Sequence, residues 1–254
     1  MNQNSHPIQL PPMNEEPEIP DRKPLLDALT YPVRGSGRIL LLIGAVLSAV
    51  LGFASGFSLF GAIASLLGLA YFNAYYHSIV ESTVSWNEDP PDWPDVSDLA
   101  GEVIVPMVRT AGVFLISFLP MLGLVALRRD DGGNLWGSPL VWLGILWGVL
   151  YFPMAILHVI VSNELSNALP QHVLPRVRRG MPVYLLLAGL LVAGLFVSGA
   201  VIAVVGRVPF VGGLVAAAAG LYFMMAQARL AGIFYRDQLG TAAAEEASPR
   251  SDAE

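Results

Sequence analysis

Two histidine–carboxylate pairs are the residues of this sequence whose types and spacing could do chemistry. His77 and Glu81 stand at positions i and i+4, and Glu164 follows His158 by about one and a half helical turns. Joined across two helix ends, these side chains could form a metal site. A membrane metallopeptidase would carry a fuller signature, such as His-Glu-x-x-His, with its base between the ligands. We therefore predict no catalytic residue, no bound metal and no cofactor, and keep the two pairs as candidate functional polar residues.

Arg109 is a further candidate, because it lies inside an apolar segment. An ionisable group within a membrane span is a functional hypothesis by default, and the same holds for His158. For the histidine we favour a neutral imidazole that donates to a carbonyl, since a charge in lipid costs more. For Arg109 we favour a structural role over substrate binding: it snorkels to the membrane surface or pairs with Glu102 or Glu81.

The most distinctive segment is the acidic loop, residues 81–102, with seven acids, two tryptophans and three prolines. The prolines enforce an extended path, after which Asp95 can cap a helix that carries Asp98 at its third position. Trp86 and Trp93 suit a membrane interface, where an amphipathic ring has one apolar and one wet side. We interpret the loop as a structured return to the next helix. The alternative is a docking surface for a cytoplasmic protein or a divalent cation.

The elements that must position these residues are apolar helices. Of the 254 residues, 54% are hydrophobic and only 13% are charged, about half the charged share of a soluble protein. The polar stripe that each helix of a soluble bundle needs is missing. The sequence therefore predicts an all-α polytopic membrane protein. A bundle of six transmembrane helices occupies residues 37–235, between disordered cytoplasmic tails at 1–36 and 236–254.

Span length sets the number of helices, because a helix needs about 20 apolar residues to cross a bilayer. Residues 38–80 are therefore two spans joined by a turn near residues 56–61. A short interfacial helix is expected before them, at residues 23–31. The four later spans are predicted at residues 103–127 with a kink at Pro120, at 140–161 with Pro153 inside, at 182–205 and at 210–235.

The cationic residues predict the orientation of the spans. Ten of the fourteen lie on the side of both tails, three lie on the opposite side, and the last is Arg109. The excess marks the cytoplasmic side, so both termini are expected there. Lys23 is the only lysine, an arginine bias that suggests a GC-rich bacterial genome and hence a bacterial cytoplasmic membrane. The net charge of −6 gives no basic footprint for nucleic acid, and the absence of cysteine excludes thiolate chemistry.

Small residues recur at helical spacing in three spans. In the first span, Gly44, Ser48, Gly52 and Gly56 follow one another at i+4. Such a face lets two backbones approach closely where lipid supplies no hydrophobic drive for association. We expect packing within the chain, with self-association as the alternative. The other small-residue faces are formed by Gly144 and Gly148 in the fourth span, and by Gly212, Ala216 and Gly220 in the sixth.

The acidic loop also carries a resemblance to a known family. Two opening helices, a loop around Asp-Pro-Pro-Asp-Trp-Pro-Asp and four further helices resemble an uncharacterised prokaryotic family of polytopic membrane proteins. That family is a domain of unknown function, distantly similar to the Yip-type trafficking proteins. Its loop has a Leu-Pro-x-aromatic turn followed by Asp. Pro91, Trp93, Asp95 and Leu99 match these features, but Pro90 replaces the leucine.

Two shorter segments extend this resemblance. They are Tyr-Phe-Pro-Met-Ala, which begins at Tyr151, and Asn-Ala-Leu-Pro, which begins at Asn167. Together with the loop they extend the similarity over about residues 34–235. The resemblance implies a fold and a membrane location, and it implies no activity.

The function that we expect is that of a non-enzymatic membrane protein acting through protein or lipid interactions. Its partners would be the lipid bilayer and either a cytoplasmic protein or further copies of itself, without nucleic acid. A small-molecule transporter or channel component is the alternative, and it should show polar or broken helices at mid-membrane. Asn73, His158 and Gln227 are the only residues that suggest one. An intramembrane enzyme comes third.

Overall fold

The computed structural model describes residues 23–55, 59–128, 137–208 and 211–247. Within these ranges all regular structure is helical, which confirms the predicted all-α class. The α-helices are α1 (Pro24–Thr30), α2 (Gly37–Ser55), α3 (Leu59–Val84), α4 (Val105–Arg128), α5 (Pro139–Ser162), α6 (Pro170–Arg179), α7 (Met181–Val205) and α8 (Gly212–Ala247). Between them lie 3-10 turns at Tyr31–Val33, Val96–Asp98 and Leu165–Ala168, and a π-helical turn at Leu99–Ile104.

Five of the described helical segments are long and apolar enough to cross a membrane. This condition is met by α3, α5 and α7 over their whole lengths. It is also met by α4 together with the π-helical turn, and by the part of α8 that ends at Asp237. α2 meets it only together with residues 24–33, from which it is bent by 67°. The described residues therefore contain five or six candidate spans. The predicted third to sixth spans overlap these segments almost completely.

Proline and asparagine explain several helix boundaries. Pro139 and Pro170 occupy the first turns of α5 and α6, where the N–H that proline lacks would have no helical partner. Asn163 ends α5 in the left-handed conformation, with φ 59° and ψ 14°, which asparagine tolerates better than most residues. Pro120 and Pro153 lie inside α4 and α5, and both helices continue past them.

α8 is the central helix of the bundle. It contacts α1, α2, α3 and α7, while α4 packs along α5. Apolar side chains also cover much of the outer surface, and Phe196 on α7 is 77% exposed. A soluble monomer rarely exposes so large an apolar surface. Many others are more than half exposed, among them Leu42, Leu119, Leu143 and Leu186.

Glycines bring α4 and α5 into close contact. A Cβ atom at Gly144 would lie 2.9 Å from the Cα atom of Met121, and one at Gly148 would collide with the ring of Phe118. Backbone and ring therefore occupy the space that larger residues would need. The small residues of the predicted fourth span pack against another helix of the same chain, as expected.

The small-residue face of α2 is close-packed at one end only, and the prediction is wrong at Gly52. A Cβ atom at Gly44 would lie 2.8 Å from the ring of Trp93. At Gly52 it would meet no atom of the described residues within 4 Å, and Gly56 lies outside those residues. The physical reason is the direction from which α3 approaches. A Cβ atom at Gly68 of α3 would collide with Leu51, one residue round the helix from the predicted face.

The predicted disordered tails need correction where the structure describes them. The short helix expected at residues 23–31 is present as α1, and Tyr31 after it is fully buried. The first tail is therefore ordered from about Lys23, because α1 and the turn after it pack on α8 and bury Ala28 and Tyr31. At the other end, α8 continues to Ala247, beyond the predicted boundary at residue 235. Residues 1–22 and 248–254 lie outside the described residues.

Candidate functional site

His77 links α3 to α4 rather than facing Glu81. Its Nε2 atom lies 2.9 Å from the hydroxyl of Thr110, and the imidazole is buried. A buried polar side chain that has such a partner avoids the cost of an unmade hydrogen bond. The contact therefore gives His77 a structural role in holding two neighbouring helices together.

Arg109 has a different partner from the ones predicted. Its guanidinium donates to the side-chain oxygen of Asn163, the residue that ends α5, and it forms no ion pair with Glu81 or Glu102. Glu102 instead accepts a hydrogen bond from the backbone N–H of Asp95, at 2.5 Å. Arg109 thus ties the start of α4 to the end of α5. Among the described residues neither predicted ion pair forms, and the structural role of Arg109 stays a prediction.

His158 is the centre of a third polar contact, which joins α5, α6 and α8. Its Nδ1 atom lies 3.0 Å from the hydroxyl of Tyr235 and 2.5 Å from the Nη1 atom of Arg176. Arg176 also donates to the hydroxyl of Tyr235, at 2.9 Å. A guanidinium can only donate, so the Nδ1 atom must accept and the imidazole must be neutral. The sequence analysis predicted a neutral imidazole that donates to a carbonyl, whereas the contact in the structure is made by the Nδ1 atom, which accepts from an arginine.

Glu164 serves the short turn that follows α5. Its carboxylate accepts hydrogen bonds from the hydroxyl of Ser166, at 3.4 Å, and from the amide of Asn167, at 3.5 Å. The two histidine–carboxylate pairs therefore do not meet at one site. Within the part of the chain that the structure describes, no three His, Asp or Glu side chains are placed to hold a metal ion.

A buried charge network forms where the sequence predicted a disordered tail. Asp27 on α1 accepts from the Nε atom of Arg229 on α8, at 3.0 Å, and from the Nη1 atom of Arg34, at 2.6 Å. Asp27 is 7% exposed and Arg229 is 4% exposed. Asp27 and Arg229 are 202 positions apart in the sequence. No spacing pattern could have indicated this pair.

Arg229 makes three further contacts, which extend the network to α3. Its Nη1 atom donates to the hydroxyl of Thr83, at 3.3 Å, and to the backbone carbonyl of Asn87, at 2.5 Å. The guanidinium also lies 4.9 Å from the ring centre of Tyr31, a cation–π distance. One arginine thus joins the N-terminal helix, the end of α3 and the central helix.

Trp93 fixes the acidic loop to the bundle. Its ring stacks on Tyr75, with the ring centres 4.6 Å apart, and on Tyr71, at 5.3 Å, while Phe72 meets it edge-on at 5.8 Å. Gly44 of α2 leaves room for the indole on the other side. The sequence pattern predicted a membrane interface for this tryptophan. It could not identify the aromatic residues of α3 that receive it.

Hydrogen bonds hold the loop on both sides of Trp93. The hydroxyl of Tyr71 donates to the carbonyl of Pro94, at 2.8 Å, and that of Tyr75 donates to the carbonyl of Pro91, at 3.4 Å. The tyrosines therefore fix both the ring and the backbone of the loop. An extended, proline-rich segment is held in one conformation by side chains of a neighbouring helix.

Asp95 and Asp98 cap two successive turns. Asp95 accepts from the backbone N–H of Ser97, at 2.8 Å, and starts the 3-10 turn as predicted. Hydrogen bonds from the hydroxyl and backbone of Ser97 lower the pKa of Asp95. Asp98 does not complete a capping box. It accepts from the N–H of Gly101, at 3.0 Å, and caps the π-helical turn. Glu102 makes the reciprocal contact instead.

Trp86 ends α3 in a conformation that glycine usually adopts. Its φ angle is 65°, and the N–H of Asn87 bonds to the carbonyl of Ser82, at 3.0 Å, as in a Schellman motif. A bulky residue with this backbone geometry is strained unless its surroundings hold it. The guanidinium of Arg236 lies 4.0 Å from the indole ring centre and supplies such a contact.

All of these polar contacts lie at one end of the bundle. α3 and α5 end there, α4 begins there, and the last turns of α8 before Asp237 pass through it. We call this the polar end. The opposite end contains the α7–α8 turn at residues 206–208. No family model, curated protein or solved structure matches this chain. The resemblance to the prokaryotic family therefore stays a prediction from the loop.

Proposed function

We propose that this chain is a multi-pass protein of a bacterial cytoplasmic membrane, that its polar end faces the cytoplasm, and that it acts there as a non-enzymatic docking protein. The apolar side chains exposed on the outer surface of the helices support a membrane location. In this proposal α2, with the bent segment before it, is the first of six spans. The excess of cations on the side of both tails supports the orientation.

The observation that carries the proposal is the way the acidic loop is presented. Trp93 and the two tyrosine hydroxyls attach its inner side to α3. Its outer side displays carboxylates, and those of the exposed residues are Glu88, Asp89, Asp92, Asp95, Asp98 and Glu102. A surface that is already ordered loses little conformational entropy on binding. Its negative charge favours a partner with a basic surface.

Site-specific photo-crosslinking in cells tests the docking role. A photoreactive amino acid at Asp92 should form an adduct with one defined cytoplasmic protein that has a basic surface. Replacing Glu88 and Asp89 by their amides should weaken the adduct, because the attraction is electrostatic. The matched control carries the photoreactive residue at Val208, at the opposite end. An adduct pattern at Asp92 identical to that at Val208, or no protein adduct at Asp92, would refute the docking role.

A transporter or channel component is the second candidate, and one observation favours it. The side-chain nitrogen of Asn73, midway along α3, is buried without a hydrogen-bond partner among the described residues. Such a group costs stability unless something binds it. A substrate at this site would raise the thermal stability of the native chain and not that of an Asn73→Leu variant. If no solute in a broad screen distinguishes the two proteins, this candidate fails.

A further inference from the structure

α6 is a short basic helix that lies against the polar end of the bundle. Val173 on its inner face is fully buried, and Val177 packs beside the core. Arg176 is committed to His158 and Tyr235. One face of α6 is therefore fixed to the bundle, and it needs no further partner to stay in place.

The outer face of α6 carries a different chemistry. Arg178 and Arg179 are exposed and form no ion pair or hydrogen bond with any described residue. Leu174 is 41% exposed on the same face. Together they form a shallow groove, whose lining residues are Pro170, Gln171, Leu174, Pro175, Arg178 and Arg179.

The position of this groove indicates which class of molecule contacts it. α7 begins at Met181, directly after Gly180, so the two arginines lie where the chain enters its next candidate span. The first turns of α7, which follow the groove directly in the chain, expose apolar side chains, among them Val183 and Leu185. Positive charge at a span boundary, next to exposed apolar surface, matches the two parts of a phospholipid.

We propose that the outer face of α6 binds an anionic phospholipid of the cytoplasmic leaflet. The guanidinium groups of Arg178 and Arg179 donate to its phosphate oxygens, because the planar fork of arginine matches this geometry. The acyl chains lie along the exposed start of α7. This inference rests on the membrane location and the orientation given in the proposed function. It does not depend on the docking role of the acidic loop.

Native mass spectrometry of the full chain in detergent tests the site. Dioleoylphosphatidylglycerol and dioleoylphosphatidylcholine carry the same acyl chains and differ in net charge. Two arginines at the surface should give a preference of about 30-fold for phosphatidylglycerol. An Arg178→Gln/Arg179→Gln variant should lose that preference, and Arg178→Lys/Arg179→Lys should recover part of it. An Arg38→Gln/Arg207→Gln variant removes the same charge elsewhere and should behave as the native chain does.

An excess of inorganic phosphate separates a lipid site from a simple phosphate site. Phosphatidylglycerol should remain bound, because its acyl chains add contacts that phosphate lacks. Displacement by phosphate, or equal retention of the two lipids by the native chain, would overturn the inference. So would an unchanged preference in Arg178→Gln/Arg179→Gln. None of these outcomes affects the crosslinking result at Asp92, which concerns another surface.

Discussion

At the residue scale, Arg229 shows how a charge is kept inside this protein. An arginine side chain cannot lose its proton in a protein, so it must be buried as a cation. Burial of an ion costs several kcal/mol, which excellent geometry and further hydrogen bonds must offset. Asp27 supplies the opposite charge, Thr83 and the Asn87 carbonyl accept hydrogen bonds, and Tyr31 supplies a ring face. The network therefore depends on α1 being in place.

Asp27→Asn should destabilise the protein strongly. The substitution keeps the shape of the side chain but leaves two arginines without their carboxylate. We expect the free energy of unfolding to fall by about 3 kcal/mol. Asp237→Asn is the matched control, because Asp237 also pairs with an arginine, at 3.4 Å, but its side chain is 57% exposed. This control should change the free energy of unfolding by no more than about 0.5 kcal/mol. Thermal unfolding in detergent measures both variants, and equal effects would contradict the account.

The contacts that could be predicted from the sequence are local, and those that could not join residues on different helices. Asp95 was predictable as a cap because a cap acts on N–H groups of its own chain segment, two residues away. The partners of Arg109, His158 and Arg229 were not, because they lie on helices whose packing brings them together. A long-range pair such as Asp27–Arg229 leaves no spacing signal.

At the scale of single elements, glycine spacing predicts close packing only where a neighbouring helix approaches that face. At Gly144 the neighbour is present, and its backbone occupies the space beside the glycine. At Gly52 a Cβ atom would meet no described atom within 4 Å. The i+4 pattern is the same in both helices. The crossing geometry of the neighbouring helices decides which glycines matter, and sequence spacing does not contain it.

Gly144→Leu should therefore destabilise the bundle, and Gly52→Leu should not. Overpacking typically costs about 1–3 kcal/mol, and Met121 opposes the new side chain with its backbone, which cannot move aside. The two variants make the same chemical change in apolar helices, so each controls for the other. Unfolding midpoints in detergent give the comparison. Equal stability of Gly144→Leu and the native chain would show that α4 and α5 are not packed as described.

The fluorescence emission of Trp93 should show that the acidic loop is ordered. In a variant whose other tryptophans are replaced by phenylalanine, the Trp93 emission should be shifted to the blue of free tryptophan in water. The indole ring stacks on two tyrosines and is partly buried. Adding Tyr75→Ala should move the emission to the red, since it opens that contact. Emission like that of free tryptophan before the second change would mean that the loop does not pack on α3.

The long apolar helices were more predictable from the sequence than the short helices between them. A segment of about 20 apolar residues must form a helix if it lies in lipid, because every backbone group has to be satisfied within the segment. The long apolar runs therefore correspond to α2–α5, α7 and α8. α1 and α6 depend on packing or surface position, and only α1 was expected, as a short interfacial helix. α6 carries the basic groove, and its three arginines entered the prediction solely as orientation charges.

At the scale of the whole molecule, polarity is concentrated at one end. The charge network, the His158 contact, the acidic loop and the basic helix α6 all lie at the polar end. In the proposed topology this end faces the cytoplasm, and the α7–α8 turn at residues 206–208 faces outward. The docking role and the lipid site both require that orientation in a cell.

Cysteine accessibility tests this orientation most directly, because the chain contains no cysteine of its own. Gln171→Cys places a thiol on exposed α6, and Val208→Cys places one at the opposite end, also exposed. In intact spheroplasts, a maleimide that cannot cross membranes should label Val208→Cys and leave Gln171→Cys unlabelled. After lysis it should label both. Labelling of Gln171→Cys in intact spheroplasts would contradict a cytoplasmic polar end, and with it the account of what this protein does.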